Sequence, residues 1–225
     1  MKVVAMIPIK LNNQRLPGKN IKCFDDGTPL VHCIQRALLE ANSIDEIYVY
    51  CSNISIQDYL LPGVKFLNRS FELDADSINC NDILDRFIKE VDADIYIASH
   101  ATGPFTSSRS INKCVNAVQS EEYDSAFIAT KMQQFLWQEG KALNFDIQNF
   151  PRTQDLVPIY VETPGAYVFK KEVFEKYKRR VGIKPYICEG EKLEEIDIDN
   201  PEDFKIANAI YMNIIKNRDE KHGKY

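Results

Sequence analysis

Short runs of apolar, often β-branched residues alternate with longer amphipathic segments along the first half of the chain. The runs that predict strands are Val3–Ile9, Glu46–Cys51, Val64–Leu67, Asp94–Ser99 and Ser125–Thr130. Strands that are separated by helices tend to pair in parallel, because the helix returns the chain to the end of the sheet at which the previous strand began. The pattern therefore predicts an α/β fold whose sheet carries helices on both faces.

Four amphipathic segments have apolar residues at helical spacing. We predict helices over Pro29–Ala41, from about Ser77, over Ser108–Val118, and from Pro201 to Ile215. Thr28 is a candidate N-cap for the first helix, and Asn200 is one for the last. Together with the strands, these helices predict a Rossmann-like three-layer sandwich with a mostly parallel sheet.

The regular pattern breaks down between about residues 131 and 160, which are rich in glutamine and aromatic residues. We expect one domain over residues 1–225 with an excursion from the sheet at about 131–160. Exposed aromatic residues on such a segment often mark a subunit contact, so we predict a small dimerisation arm and a homodimer. The polar tail from Lys216 onward predicts a frayed end.

Composition and charge exclude several classes of protein. The 225 residues are 44% hydrophobic and 27% charged, which is typical of a globular protein. The net charge of −5 has the wrong sign for a broad nucleic-acid footprint, so we expect no nucleic-acid partner. The apolar opening ends at Lys10, too early for a secretory core or a membrane span, and so predicts a cytoplasmic protein without a membrane partner.

The segment after the first predicted strand reverses the sign of the chain's charge. Residues 10–22 contain no acid and four cations, namely Lys10, Arg15, Lys19 and Lys22. Ligands bind at the carboxyl ends of the strands in open α/β sheets, so this loop is a candidate polyphosphate site. A solvated basic turn is the alternative. Because no GxxxxGK[ST] or GxGxxG motif occurs, side chains would have to hold the phosphates.

A pair of acids precedes the last predicted helix. If the sequence IDID is extended, Asp197 and Asp199 lie on one face, while Ile196 and Ile198 point into the core. Two carboxylates on one face suit a magnesium ion that keeps most of its coordination for water and phosphate. A half-buried strand with solvated acids ahead of a helix cap is the alternative.

Several blocks in order along the chain give these features a specific interpretation. They are IPIKLNNQRLPGKN, RSFELDADS at Arg69–Ser77, HATGPFT at His100–Thr106, RTQDLVPIYVETPGAYVF at Arg152–Phe169 and IDIDNPEDFKIAN at Ile196–Asn208. This series resembles the CMP-sugar-acid synthetases, the cytidylyltransferases that activate sialic acid-type nonulosonates and, in a related branch, Kdo. The resemblance spans most of the chain.

The resemblance implies transfer of CMP from CTP to a small acidic sugar, such as a sialic, legionaminic or pseudaminic acid, with release of pyrophosphate. Kdo or another acid such as a phosphonate is an alternative acceptor, and a catalytically inactive CTP-binding protein is an alternative function. Mg²⁺ is the implied cofactor.

The resemblance also implies the roles of individual residues. The implied catalytic residues are Lys10, Arg15, Lys19 and Asp199. Those implied around the nucleotide are Lys10, Asn13, Arg15, Lys19, Asn20, Arg69, Asp76, Ser77 and Asn79. Those implied around the acceptor are His100, Thr102, Arg152 and Gln154, with Asp197 and Asp199 as metal ligands.

The chain departs from the family pattern at several positions. Lys10 replaces the usual arginine, and Asn13 the usual serine. On the acceptor side the replacements are His100 for glutamine, Gly103 for serine, Thr106 for arginine and Pro164 for asparagine. The nucleotide half of the site is therefore closer to the family pattern than the acceptor half.

Overall fold

The computed structural model describes residues 1–216. Its strands are β1 (Val3–Ile9), β2 (Glu46–Cys51), β3 (Val64–Asn68), β4 (Ile95–Ala98), β5 (Ser125–Met132), β6 (Trp137–Gln138), β7 (Lys141–Ala142), β8 (Ile159–Lys170) and β9 (Pro185–Glu189). Its α-helices are α1 (Leu30–Leu39), α2 (Cys80–Glu90), α3 (Ser108–Gln119), α4 (Lys171–Tyr177) and α5 (Pro201–Ile210). The last helix continues into a π-helical turn at Tyr211–Ile215.

Seven strands form one sheet in the order β3-β2-β1-β4-β8-β5-β9. Strand β1 pairs in parallel with β2 and β4, β2 with β3, and β5 with β9. Strand β8 alone runs antiparallel to its two neighbours, β4 and β5. The predicted mostly parallel sheet is therefore confirmed.

Helices cover both faces of the sheet, as the pattern predicts. On one face, Ile34 of α1 and Val115 of α3 pack among buried strand residues such as Ile7. On the other face, Phe87 of α2 and Phe174 of α4 pack against the opposite side of the strands. This arrangement is the three-layer sandwich expected from the sequence, with apolar burial as the main stabilising contribution.

A third apolar cluster attaches α5 to the edge of this sandwich. Phe24 stacks on Phe204 with ring centroids 5.5 Å apart and on Tyr211 at 4.3 Å. Ile198 is fully buried in the same cluster. Its burial anchors residues 196–199 beside the loop that follows β1.

The predicted cap of α1 and the predicted start of α2 are wrong. Pro29 occupies the N-cap of α1 and no side chain caps it; the Thr28 hydroxyl instead accepts a hydrogen bond from Tyr211 at 3.3 Å. Helix α2 begins at Cys80 rather than near Ser77, because Asn79 forms a capping box there. The predicted cap and proline at the start of α5 are confirmed.

The excursion from the sheet is shorter than predicted, because β5 extends to Met132 and β8 begins at Ile159. Residues 133–158 contain the β6–β7 hairpin and a cluster of aromatic rings, Phe135, Trp137, Phe145 and Phe150. The predicted frayed tail lies, beyond Lys216, outside the described residues. Over residues 1–216, the helices are too short or too polar to cross a bilayer.

Candidate active site

Three segments that are distant in sequence meet at the carboxyl ends of β1 and β4. The loop after β1 is held in shape by Asn20, whose amide donates to the Lys10 carbonyl at 2.8 Å. The loop after β4 is tied to the segment before α5 by the Ile198 N–H, which donates to the Thr102 carbonyl at 2.9 Å. Both loops thus border one surface.

Asp199 lies at the centre of this surface and binds two cations. Arg15 donates from Nη1 to Oδ2 at 3.1 Å and from Nη2 to Oδ1 at 3.0 Å, which is a bidentate pair. Lys19 donates from Nζ to Asp199 Oδ1 at 3.1 Å and to the Ile198 carbonyl at 2.7 Å. The structure therefore brings the basic loop and the predicted acids together.

A second acid holds the opposite side of the basic loop. Asp76 accepts hydrogen bonds from Lys10 Nζ at 3.0 Å and from Gln14 Nε2 at 2.9 Å. The Lys10 ammonium holds the pKa of the Asp76 carboxyl below its usual range. Each lysine or arginine of this centre is therefore paired with a carboxylate.

These side chains enclose a cavity of about 340 Å³. Its lining residues are Lys10, Asn13, Gln14, Arg15, Leu16, Lys19, Asp76 and Asp199. Asn13 Oδ1 is buried and has no hydrogen-bond partner within residues 1–216. An unused buried acceptor beside three cations indicates a site that is completed by a polar ligand.

Asp197 lies beside Asp199 in a segment, residues 196–199, that belongs to no strand. The predicted faces are confirmed, because Ile196 and Ile198 pack in the apolar cluster of α5 while Asp197 is exposed and Asp199 is partly exposed. Burial on its protein side and the Asp199 charge raise the pKa of Asp197, while the Thr102 side chain hydrogen-bonds the carboxylate. Within residues 1–216, no group of three or more His, Cys, Asp or Glu side chains could hold a metal ion.

Three residues implied around the nucleotide lie elsewhere. Arg69 is buried in an ion pair with Asp74 at 2.5 Å and does not line the cavity. The Asn79 side chain caps α2, and Ser77 is exposed in the turn before it. The partner Asp74 belongs to the same motif, five residues along the chain, but the motif does not reveal that the two side chains pair in the core.

The residues implied around the acceptor separate into two groups. His100 and Thr102 lie on the loop after β4, where Thr102 hydrogen-bonds Asp197 with its side chain and Ile198 with its carbonyl. Arg152 and Gln154 lie in the 133–158 segment and do not line the cavity, and Arg152 forms a bidentate pair with Asp155 at 2.7 and 3.1 Å. The described chain does not bring this second group to the site.

The departures on the acceptor side pack against one another. A Cβ atom at Gly103 would lie 2.9 Å from Pro164 Cγ, and one at Gly165 would lie 2.6 Å from Thr106 Oγ1. Thr106 Oγ1 also donates to the Gly103 carbonyl at 3.0 Å. The loop after β4 therefore packs tightly against Pro164 and Gly165 of β8, and a larger side chain has no room there.

Sequence reasoning missed two polar residues of this region. Gln14 lines the cavity, and its place between Asn13 and Arg15 was the available signal. Arg180 lies beside His100, with Nη1 and Nε2 3.4 Å apart. No local pattern distinguishes Arg180 from the other basic residues that follow α4.

Comparisons with known proteins agree with this geometry. A family model described as Cytidylyltransferase matches residues 4–221. The N-acylneuraminate cytidylyltransferase A of Danio rerio is 26% identical over 91% of this chain and 50% of that protein. The 3-deoxy-manno-octulosonate cytidylyltransferase of Christiangramia forsetii is 22% identical over 93% of this chain and 96% of that protein.

The fold has solved counterparts as well. The structure of a CMP:2-keto-3-deoxy-manno-octonic acid synthetase complexed with CTP superposes with a TM-score of 0.71 at 18% identity. That match covers 94% of this chain and 99% of the other, which establishes the common fold. The chain spans about half the length of the N-acylneuraminate cytidylyltransferases of Danio rerio and Streptococcus agalactiae, 50% and 56% respectively.

Proposed function

The chain belongs to the cytidylyltransferase family, and on this premise we propose that it transfers a cytidylyl group from CTP to an acidic sugar. A hydroxyl of the acceptor attacks the α-phosphorus in line, forming the new P–O bond as the bond to the β-phosphate breaks. Pyrophosphate leaves, and the hydroxyl proton passes to a nearby carboxylate or to water. The enzyme contributes mainly positioning and charge neutralisation, as in other phosphoryl transfers.

The observation that carries this proposal is the set of three cations around one cavity, Lys10, Arg15 and Lys19. Each is already placed by an ion pair with Asp76 or Asp199. Triphosphate oxygens can replace these carboxylates as partners, so the cations need little reordering when CTP binds. Lys10 serves here as a point charge where the family pattern has arginine.

Magnesium is part of the proposal, with Asp197 and Asp199 as its ligands. Burial, with a smaller contribution from the Asp199 charge, raises the pKa of Asp197, and a divalent cation would neutralise the two adjacent carboxylates. Mg²⁺ commonly takes one or two carboxylates and completes its shell with water and substrate phosphates. When bound, the ion supplies charge neutralisation on the triphosphate.

The acceptor is proposed to be a nonulosonate such as a sialic, legionaminic or pseudaminic acid. The relatives named as N-acylneuraminate cytidylyltransferases favour this class, and the Christiangramia forsetii relative supports Kdo as the alternative. Burial, with smaller contributions from Arg180 and Lys19, lowers the pKa of His100 to about 4. His100 is therefore neutral at pH 7 and acts in acceptor binding as a hydrogen-bonding group.

The proposal includes a homodimer that works in the cytoplasm, where CTP is available. Five apolar residues of the 133–158 segment support the dimer because each exposes more than half of its surface: Trp137, Leu143, Ile147, Phe150 and Val157. Exposed apolar residues in such number are typical of subunit contacts. Sedimentation of the purified protein tests this part separately.

Release of pyrophosphate tests the activity. The purified chain is mixed with CTP, Mg²⁺ and N-acetylneuraminic, legionaminic, pseudaminic or Kdo-type acid, and a phosphonate is included as a further acceptor. CTP-dependent release with one of them is expected. The second candidate function is a nucleotide-binding protein that has lost catalysis, because Lys10 and several acceptor-side residues depart from the family pattern. CTP binding in calorimetry without turnover of any acceptor would favour this candidate.

A further inference from the structure

Arg180 is placed unusually for an arginine at the edge of a site. It follows α4, and its guanidinium stacks on the ring of Tyr167 with the central carbon 3.4 Å from the ring centroid. Nη1 lies 3.4 Å from Cys80 Sγ and 3.4 Å from His100 Nε2. Sulfur is a weak acceptor, and 3.4 Å is long for a hydrogen bond to an imidazole nitrogen.

No carboxylate within residues 1–216 forms an ion pair with Arg180. Glu162 of β8 accepts a hydrogen bond from the hydroxyl of Tyr167, the ring on which Arg180 stacks, at 2.6 Å. A half-buried guanidinium carries five N–H donors, and leaving most of them without a strong acceptor is costly. The side chain is therefore fixed in position while its capacity to bind an anion is unused.

The neighbours of Arg180 connect it to both sides of the candidate active site. Cys80 begins α2 directly after the turn that carries Asp76, the partner of Lys10. His100 lies on the loop that carries Thr102, which holds Ile198 beside Asp199. Arg180 is not among the residues that line the cavity of Lys10, Arg15 and Lys19. It contacts His100, one of the residues implied around the acceptor, so it lies with the acceptor residues rather than among the phosphate-binding cations.

We propose that Arg180 is a specificity-determining residue that binds the carboxylate of the acceptor sugar, an inference that rests on the proposed function. The planar guanidinium, held flat on Tyr167, presents its edge for a bidentate pair with a carboxylate. Lys10, Arg15 and Lys19 remain for the triphosphate. The enzyme thereby uses the Arg180 guanidinium to select acids, while the three nucleotide-binding cations bind the triphosphate.

The test compares R180Q with R179Q, because both arginines follow α4 and only one lies beside His100. Arg179 is exposed and stacks on Tyr177, so R179Q is the matched control. Initial rates are measured for CTP and for each acid of the panel, together with the carboxamide of the best acceptor. R180K is measured in parallel, since it keeps the charge but removes the fork.

For R180Q we expect the KM of the acid to rise at least about tenfold, as for loss of a charge-assisted hydrogen bond, while the KM of CTP changes less than about twofold. Preference for the acid over its carboxamide should fall at least about tenfold in R180Q and less in R180K, while R179Q should match the wild type. An acid KM unchanged in R180Q, or an equal rise for CTP, would overturn the inference. So would a wild-type enzyme that uses the carboxamide as well as the acid, a measurement that needs no variant to fold.

The outcomes distinguish this inference from the proposed function. If the wild type releases pyrophosphate with an acid and R180Q does so with the same selectivity, only the role of Arg180 is refuted. If the wild type binds CTP yet turns over no acid, the proposed function fails and the assignment of Arg180 fails with it. Thermal denaturation of each variant shows whether a lost activity comes from lost folding.

Discussion

Replacing Asp199 by asparagine should greatly reduce activity and only slightly reduce the stability of the fold. Asp199 accepts two hydrogen bonds from Arg15 and one from Lys19, and it is a proposed magnesium ligand. Asparagine is nearly the same size, so the packing around Ile198 stays intact. The substitution removes one charge and half of the acceptor capacity.

The expected loss of stability is small and can be worked out from exposure. The side chains of Arg15 and Asp199 are 69% and 39% exposed, and such a pair contributes only about 0–1 kcal/mol. Lys19 keeps its 2.7 Å hydrogen bond to the Ile198 carbonyl, which limits the cost on that side. We expect the free energy of unfolding to fall by about 1–2 kcal/mol and the Tm by about 3–8 °C for a chain of this length.

The expected loss of activity is much larger. D199N leaves Arg15 and Lys19 without the carboxylate that places them and weakens the metal site, so kcat/KM should fall at least about a hundredfold. Pyrophosphate release and thermal denaturation are measured on the same preparations. D92N is the matched control because Asp92 forms an exposed ion pair with Lys171 before β4, at the other end of that strand. Activity of D199N within about threefold of the wild type would refute the metal and phosphate roles.

Four further predictions concern single contacts. In G165A, the new Cβ would lie 2.6 Å from Thr106 Oγ1, so denaturant unfolding should show a free energy of unfolding lower by about 1–3 kcal/mol. Adding T106A should recover part of this loss, and an unchanged free energy of unfolding in G165A would refute the tight packing at this position. In E194Q, a buried carboxylate that accepts four hydrogen bonds loses acceptor capacity, so stability should fall by about 1–3 kcal/mol by the same measurement, and unchanged stability would contradict this role. In R69M, Asp74 is left buried without its ion-pair partner, so the free energy of unfolding should fall by about 3–5 kcal/mol. Unchanged stability together with a lower affinity for CTP in calorimetry would instead show that Arg69 binds the nucleotide. Burial in the folded state lowers the pKa of His100 from 6.5 to about 4, so the unfolded chain binds the proton first as the pH falls. The free energy of unfolding, measured with urea, should therefore decrease between about pH 6.5 and about pH 4, and it should decrease less in H100Q than in the wild type. Equal pH profiles for the two proteins would exclude this cause.

Much of the fold could be predicted from local pattern. Strand β1 has the predicted bounds, and the start of α5 has the predicted cap and proline. These elements depend on contacts between near neighbours, such as apolar periodicity and the hydrogen bonds of Asn200 to the first turn. At α1 the Thr28 hydroxyl pairs with Tyr211 and no side chain caps the helix, and at α2 Asn79 rather than Ser77 occupies the cap.

The site could be predicted only where the motif residues themselves form it. The basic loop and the acids before α5 were identified as separate features, and their resemblance to a known family placed them in one site. Arg152, Gln154 and Arg69 belong to the same motifs but lie elsewhere in the described chain. Closeness along a motif does not determine which side chains line a cavity and which are buried in the core.

The sequence by itself determined the alternation of strands and helices, the local reversal of charge after β1 and the order of the motif blocks, since each depends on residues close together in the chain. Only the tertiary structure decided that Arg15 meets Asp199 across 184 positions, that β8 runs antiparallel, and that Arg180 stacks on Tyr167 beside His100. Such contacts depend on how buried apolar faces pack, and the free energy of that packing is shared among many residues. No single segment therefore carries the signal for them.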